Sequence, residues 1–138
     1  MRTGKTRGFA WGIATALTLF SGTSSANPKG APASVSPQEL VKLQGEKKPI
    51  LLLDVRTVEE FADGHIEGAW NVPVADVSHR VDEIASKAKG KQVIIYCRSG
   101  YRASVAFGAL QAKLPEAKLL DGSFNGWKKA KLPVAKGN

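Results

Sequence analysis

Two kinds of apolar pattern alternate along the chain. Ile50-Leu51-Leu52-Leu53 and Val93-Ile94-Ile95-Tyr96 are continuous apolar runs, too short for buried helices and suited to strands covered on both faces. Ala117 to Leu120 predicts another strand, and a shorter one falls around Ala69 and Trp70. Between these runs the apolar period lengthens to that of a helix. Ser36-Pro37-Gln38-Glu39 opens one, with a serine N-cap, a proline at N1 and a glutamate placed to close a capping box, running to about Leu43. Thr57 caps a second through Val58 to Ala62, which Gly64 stops. Val77, Val81, Ile84 and Ala85 or Ala88 share a face of a third, Val77 to Ala88, closed by Gly90. From Arg102 the spacing of Val105, Ala106, Ala109 and Leu110 predicts a fourth ending near Leu114-Pro115, and Phe124 to Lys131 a last short one anchored by Trp127. Strands alternating with helices predict a three-layer α/β domain, its central sheet mainly parallel and flanked by helices.

The amino terminus follows a different pattern. Arg2, Lys5 and Arg7 precede a twelve-residue uncharged stretch, Phe9 to Phe20, followed by small residues ending at Ala26. This is the three-part shape of a secretory signal peptide, with cleavage expected after Ala26. The apolar run falls short of the ~20 residues a spanning helix needs, which favours a cleaved signal over a retained anchor. The expectation is a periplasmic or otherwise exported domain with no stable membrane association after cleavage. Residues 27 to 35 read as a flexible leader, 36 to 134 as the domain and 135 to 138 as a flexible tail.

Charge changes the picture only a little. The chain of 138 residues has 20 Lys+Arg against 12 Asp+Glu, and without residues 1 to 26 the balance is 17 against 12. The remaining cations sit in runs such as Lys47-Lys48, Lys87 to Lys91 and Lys128 to Lys136 with few aromatics between them. They read as solvated faces, with no recognition pattern for nucleic acid. The length suits one modest core, and a monomer is expected. A single cysteine, Cys97, leaves no internal disulfide, no CxxC zinc cluster and no second thiol to resolve a mixed disulfide. No residue cluster requires a metal or an organic cofactor.

The chemistry concentrates in Tyr96-Cys97-Arg98-Ser99-Gly100-Tyr101-Arg102, between a buried strand and a helix start. Ligands bind at the carboxyl ends of parallel strands, and such a loop can turn consecutive N–H groups inward as an anion nest. The helix amino terminus adds partial positive charge. Arg98 and Arg102 supply guanidinium groups, and Gly100 lets the loop curl. A thiol held there is stabilised as the thiolate, the nucleophilic form.

These segments resemble the single-domain rhodanese family of sulfurtransferases across roughly Ser36 to Val134. The resemblance is carried by Asp54-Val55-Arg56, Gly64-His65-Ile66 with Gly68-Ala69, Asn71 and Pro73, the loop Cys97 to Arg102, and Asp121-Gly122 with Gly126-Trp127 and Leu132-Pro133-Val134. It departs at Ser123, where the family often has a second glycine, a change expected to affect the turn without touching the cysteine. The resemblance implies a rhodanese-like domain and a double displacement. Cys97 takes sulfane sulfur from a small anionic donor such as thiosulfate, holds it as a persulfide, and passes it to cyanide, a thiol or a protein thiol. Arg98 and Arg102 would bind the donor and stabilise charge, and the amides of Ser99, Gly100, Tyr101 and Arg102 would cradle the sulfur. The charged loop looks more like that of thiosulfate-using members than that of mercaptopyruvate-using ones.

Three supporting residues complete the set: Asp54, Arg56 and His65. Asp54 is expected to order the active loop by accepting from loop amides or an arginine, the alternative being a strand-end cap for the next turn. His65 reads as a structural hydrogen-bonding residue, because thiosulfate needs no proton removed. Two other readings stay open. A low-turnover persulfide carrier for a protein partner needs the same loaded cysteine. A cysteine phosphatase is disfavoured because only four residues separate Cys97 from Arg102, whereas the related phosphatases have one more.

Overall fold

The computed structural model describes residues 31 to 137. The predicted signal segment and the first residues of the leader lie outside them. Five strands, β1 (Ala33–Val35), β2 (Ile50–Asp54), β3 (Trp70–Asn71), β4 (Gln92–Tyr96) and β5 (Lys118–Leu120), form one sheet in the order β1-β5-β4-β2-β3. Every pairing is parallel. The helices are α1 (Pro37–Gly45), α2 (Val58–Asp63), α3 (Val74–Val77), α4 (Val81–Lys87), α5 (Tyr101–Leu110) and α6 (Ser123–Lys129).

Successive residues of a strand face opposite sides of a sheet, so the continuous apolar runs feed two cores. Leu51, Leu53, Val93 and Ile95 pack with α3, α4 and α5 through Val77, Ile84, Phe107 and Leu110. Leu52, Ile94 and Tyr96 face the other way, against Leu40 of α1 and Phe124 and Trp127 of α6. This is the expected three-layer α/β arrangement. The central pair β2 and β4 is aligned so that Asp54 stands opposite Tyr96, which puts the ends of both strands side by side.

Four expectations are corrected. Ala33–Val35, placed in the leader, forms the edge strand β1. Val35 is wholly buried and its carbonyl accepts from Asp121 N–H at 2.9 Å. Burying one valine contributes about 1.5–3 kcal/mol, enough to hold a short segment whose polarity suggests none. The tail is tied as well. His65 and Ala135 exchange both backbone bonds at 2.9 Å, and Gly137 N–H donates to Ala62 C=O at 3.0 Å.

The helix expected over Val77 to Ala88 is broken at Ser78-His79-Arg80 into α3 and α4, with tighter bonds from His79 N–H to Asp76 and from Arg80 N–H to Val77. Val77 and Ile84, seven residues apart, share a face whether or not the helix is continuous, so periodicity is blind to the break. On α5 the buried stripe is Ala103, Ala106, Phe107 and Leu110, and Val105 is 49% exposed. The helix is rotated from the expected face, with Arg102 turned toward α2.

Candidate active site

Cys97 follows β4 directly, at the carboxyl end of the sheet, and only 1% of its surface is exposed. The chain must then reverse to start α5. Gly100, with φ of 121°, makes that reversal in a region that side chains rarely adopt. Its N–H donates to Cys97 Sγ at 3.0 Å. The first helical bond of α5 runs from Ser104 N–H to Gly100 C=O, so the N–H groups of Tyr101, Arg102 and Ala103 precede the ladder. The sulfur thus lies at the positive end of a ten-residue helix.

A second element also reaches the sulfur. The turn before α6 has two consecutive residues with positive φ, Gly122 at 68° and Ser123 at 51°. Ser123 is buried; its Oγ accepts from Cys97 N–H at 3.3 Å and lies 3.9 Å from Sγ. Phe124 N–H and Asn125 N–H donate to the carbonyls of Cys97 and Arg98 at 2.9 and 3.0 Å. Ser123 therefore touches the cysteine, contrary to the expectation from sequence. The only signal for it was its occupation of a position where the related pattern favours glycine.

Arg102 is paired with Glu60 of α2 through two bonds, Nη1 to Oε2 at 2.7 Å and Nη2 to Oε1 at 2.9 Å. The bond from Arg102 is the main reason that the Glu60 carboxyl is lowered to about 2, and the same bond raises Arg102 above its ordinary value. Glu60 also accepts from Thr57 N–H at 3.0 Å, closing a capping box. The Arg102 fork is thus occupied, and what it offers the sulfur is its field. Glu60 was not singled out from the sequence, because a capping glutamate carries no sign of a partner 42 residues away.

Arg98 and Ser99 are exposed, and Tyr101 is 79% exposed on the lip of the loop. Arg98, Arg56, Glu60, Asp63, Phe124 and Lys128 help to line a depression of about 330 Å³ beside the loop. A larger one of about 820 Å³, lined by Gln92, Val93 and Lys118 among others, lies at the amino ends of β4 and β5, away from Cys97.

Asp54 and Arg56 form a closed unit next to the loop. Asp54 Oδ1 accepts from Arg56 N–H at 2.9 Å, and the Arg56 guanidinium donates to Asp54 Oδ2 and to Gly64 C=O, each at 2.7 Å. Burial opposes the Arg56 charge, but the hydrogen bonds and attraction of Asp54 outweigh it and raise the guanidinium. Its carbon lies 4.1 Å from the centre of the Phe124 ring. Asp54 thus caps its own turn and binds an arginine of its own segment; no bond to the amides of the cysteine loop is among its contacts. Burial and the Asp54 charge also push the Tyr96 hydroxyl up, and that hydroxyl accepts from Ile66 N–H at 3.1 Å. His65 Nδ1 is 2.8 Å from Phe61 C=O, and its ring stacks on Phe61 at 3.7 Å, a structural placement.

The Rhodanese-like domain model matches residues 36–130. A sulfurtransferase of Allochromatium vinosum is 32% identical over 101 residues, covering 72% of this chain and 92% of that protein. An HTH-type transcriptional regulator of Mycobacterium tuberculosis is 31% identical over 116 residues, 83% of this chain, which spans only 50% of the regulator's length. A human single-domain sulfurtransferase superposes with a TM-score of 0.61 at 28% identity, covering 72% of this chain and 97% of that one.

Proposed function

The chain belongs to the rhodanese-like family, and from that premise we propose that it is a thiosulfate sulfurtransferase working through a persulfide on Cys97. The observation that carries the reading is the Gly100 N–H at 3.0 Å from a buried sulfur, beneath the open first turn of α5. The Cys97 thiolate attacks the outer sulfur of thiosulfate. The S–S bond breaks and sulfite leaves with its electron pair. Cyanide or a thiol then attacks the outer sulfur of the persulfide, and the pair returns to Cys97 Sγ. Charge sits on or near Sγ throughout, where N–H donors fixed by the backbone stabilise it without reorganising. Arg98, beside the depression, is suited to the sulfonate end of the donor. The basic and apolar amino-terminal segment supports export, to be checked by sequencing the secreted protein for a start at Asn27.

Steady-state assays with thiosulfate and cyanide test the reading. Thiocyanate should form with parallel double-reciprocal lines, the mark of two displacements. Phosphate release from an aryl phosphate without thiocyanate formation would replace this reading with a phosphatase.

One feature favours a carrier that delivers to a protein partner. Tyr101 and Val105, one turn apart on α5, are 79% and 49% exposed, and Val58, on the helix tied to Arg102, is 54% exposed. Exposed apolar side chains on the two helices that the Glu60–Arg102 pair joins suit a docking partner. Faster sulfur transfer to a protein thiol than to cyanide, lost in Tyr101→Ser, would select this version.

A further inference from the structure

Ser123 occupies backbone space that a glycine fills more easily, and what it gains there is a hydroxyl beside the nucleophile. Its φ is 51°, it follows Gly122 at 68°, and the turn is locked from behind. A Cβ on Gly126 would come within 2.8 Å of Asp121 C=O, and one on Gly122 within 2.9 Å of the Gly126 Cα. A side chain kept at positive φ inside so tight a turn is strained, and strain of this kind gathers where a group is needed.

The hydrogen bonds say what the group does. Ser123 Oγ uses a lone pair to accept Cys97 N–H at 3.3 Å, which leaves its own proton to donate. The other contact of this hydroxyl is Cys97 Sγ at 3.9 Å, where either atom can donate; once the sulfur is a thiolate it has no proton, and the hydroxyl is the donor. Bonds of this sort are often long before substrate is bound and tighten as charge develops.

We propose that Ser123 is a second hydrogen-bond donor to Cys97 Sγ, in addition to Gly100 N–H, and that it assists the sulfur-releasing half of the reaction. The proposal rests on the sulfurtransferase reading. In that half the acceptor forms a bond to the outer sulfur, the bond from that sulfur to Sγ breaks, and the electron pair goes to Sγ, with no outside oxidant or reductant. Negative charge grows on Sγ, which both the Ser123 hydroxyl and the Gly100 amide contact. The other charges around the loop are Arg98, Arg102 with its partner Glu60, the Asp54–Arg56 pair, and Asp121 in the turn itself.

The test uses Ser123→Gly, which relieves the strained φ, and Ser123→Ala, which keeps the Cβ. The protein is loaded with thiosulfate, loading is confirmed by intact mass, and sulfur release to cyanide is followed in a single turnover. Both variants should release sulfur about tenfold more slowly. Ser123→Gly should melt within about 5 °C of the parent, since strain relief offsets the lost cap on Cys97 N–H. Release at the parental rate would overturn the proposal, and with a lowered Tm would mark Ser123 as a backbone cap alone. A parent protein that takes up no sulfur would instead sink the sulfurtransferase reading itself.

Discussion

The adjacent strands β2 and β4 end side by side in two charged turns that are built to opposite purposes. At the end of β2, Asp54 and Arg56 consume one another: backbone amide, guanidinium and carboxylate are matched, and the surplus guanidinium hydrogen reaches Gly64 C=O. At the end of β4, Cys97 Sγ accepts the Gly100 amide, the Ser123 hydroxyl lies 3.9 Å away, and the first-turn amides of α5 follow directly, ahead of the helical ladder. Full satisfaction makes a scaffold, because moving any member leaves a buried charge alone. Donors held in excess around one nucleophile make a site, because a ligand completes them.

The sharpest break in the comparison comes from Asp54→Ala. It strands the Arg56 charge at 3% exposure and should cost about 3–5 kcal/mol in denaturant unfolding. A loss under 1 kcal/mol would mean that the turn of β2 is not the scaffold described. Next in size is Gly100→Ala. No atom lies within 4 Å of the added Cβ, so the substitution acts through the backbone at φ of 121° and pulls the amide from Sγ. Thiocyanate production should fall about 10²-fold, as when a fixed donor to a developing anion is removed. Unchanged turnover would show that the Gly100 amide is incidental.

The smallest effect belongs to the Glu60–Arg102 pair, which joins α2 to the loop with both side chains 29% exposed. Glu60→Gln should cost about 1 kcal/mol at neutral pH. The carboxyl is lowered from 4.5 to about 2 in the fold, so its contribution is fully present above pH 4.5 and disappears as the pH falls through about 2. Unfolding of parent and variant should converge over that window, and a constant difference down to pH 2 would contradict the pairing.

Much of the scaffold is legible from the chain itself. Leu51 to Leu53 and Val93 to Ile95 lack any polar alternation, which only a sheet covered on both faces accommodates, and both are central strands. Cys97 and Gly100 were legible too, through the strand before them and the helix after them. What escaped depends on distant partners. Val35 sits in a small, proline-bearing stretch and is buried only because β5 comes alongside. Arg102 looks like a free cation until α2 brings Glu60 to it. Ser123, 26 residues from Cys97, looks like a turn residue until the turn is folded back over the end of β4.

The central claim is that Cys97, in its nest of donors, carries sulfur between two substrates. Intact-mass measurement of the thiosulfate-treated protein tests it most directly. The account predicts the gain of one sulfur atom, absent in Cys97→Ser and removed by cyanide as thiocyanate. No gain in the parent, or an equal gain in Cys97→Ser, would contradict it.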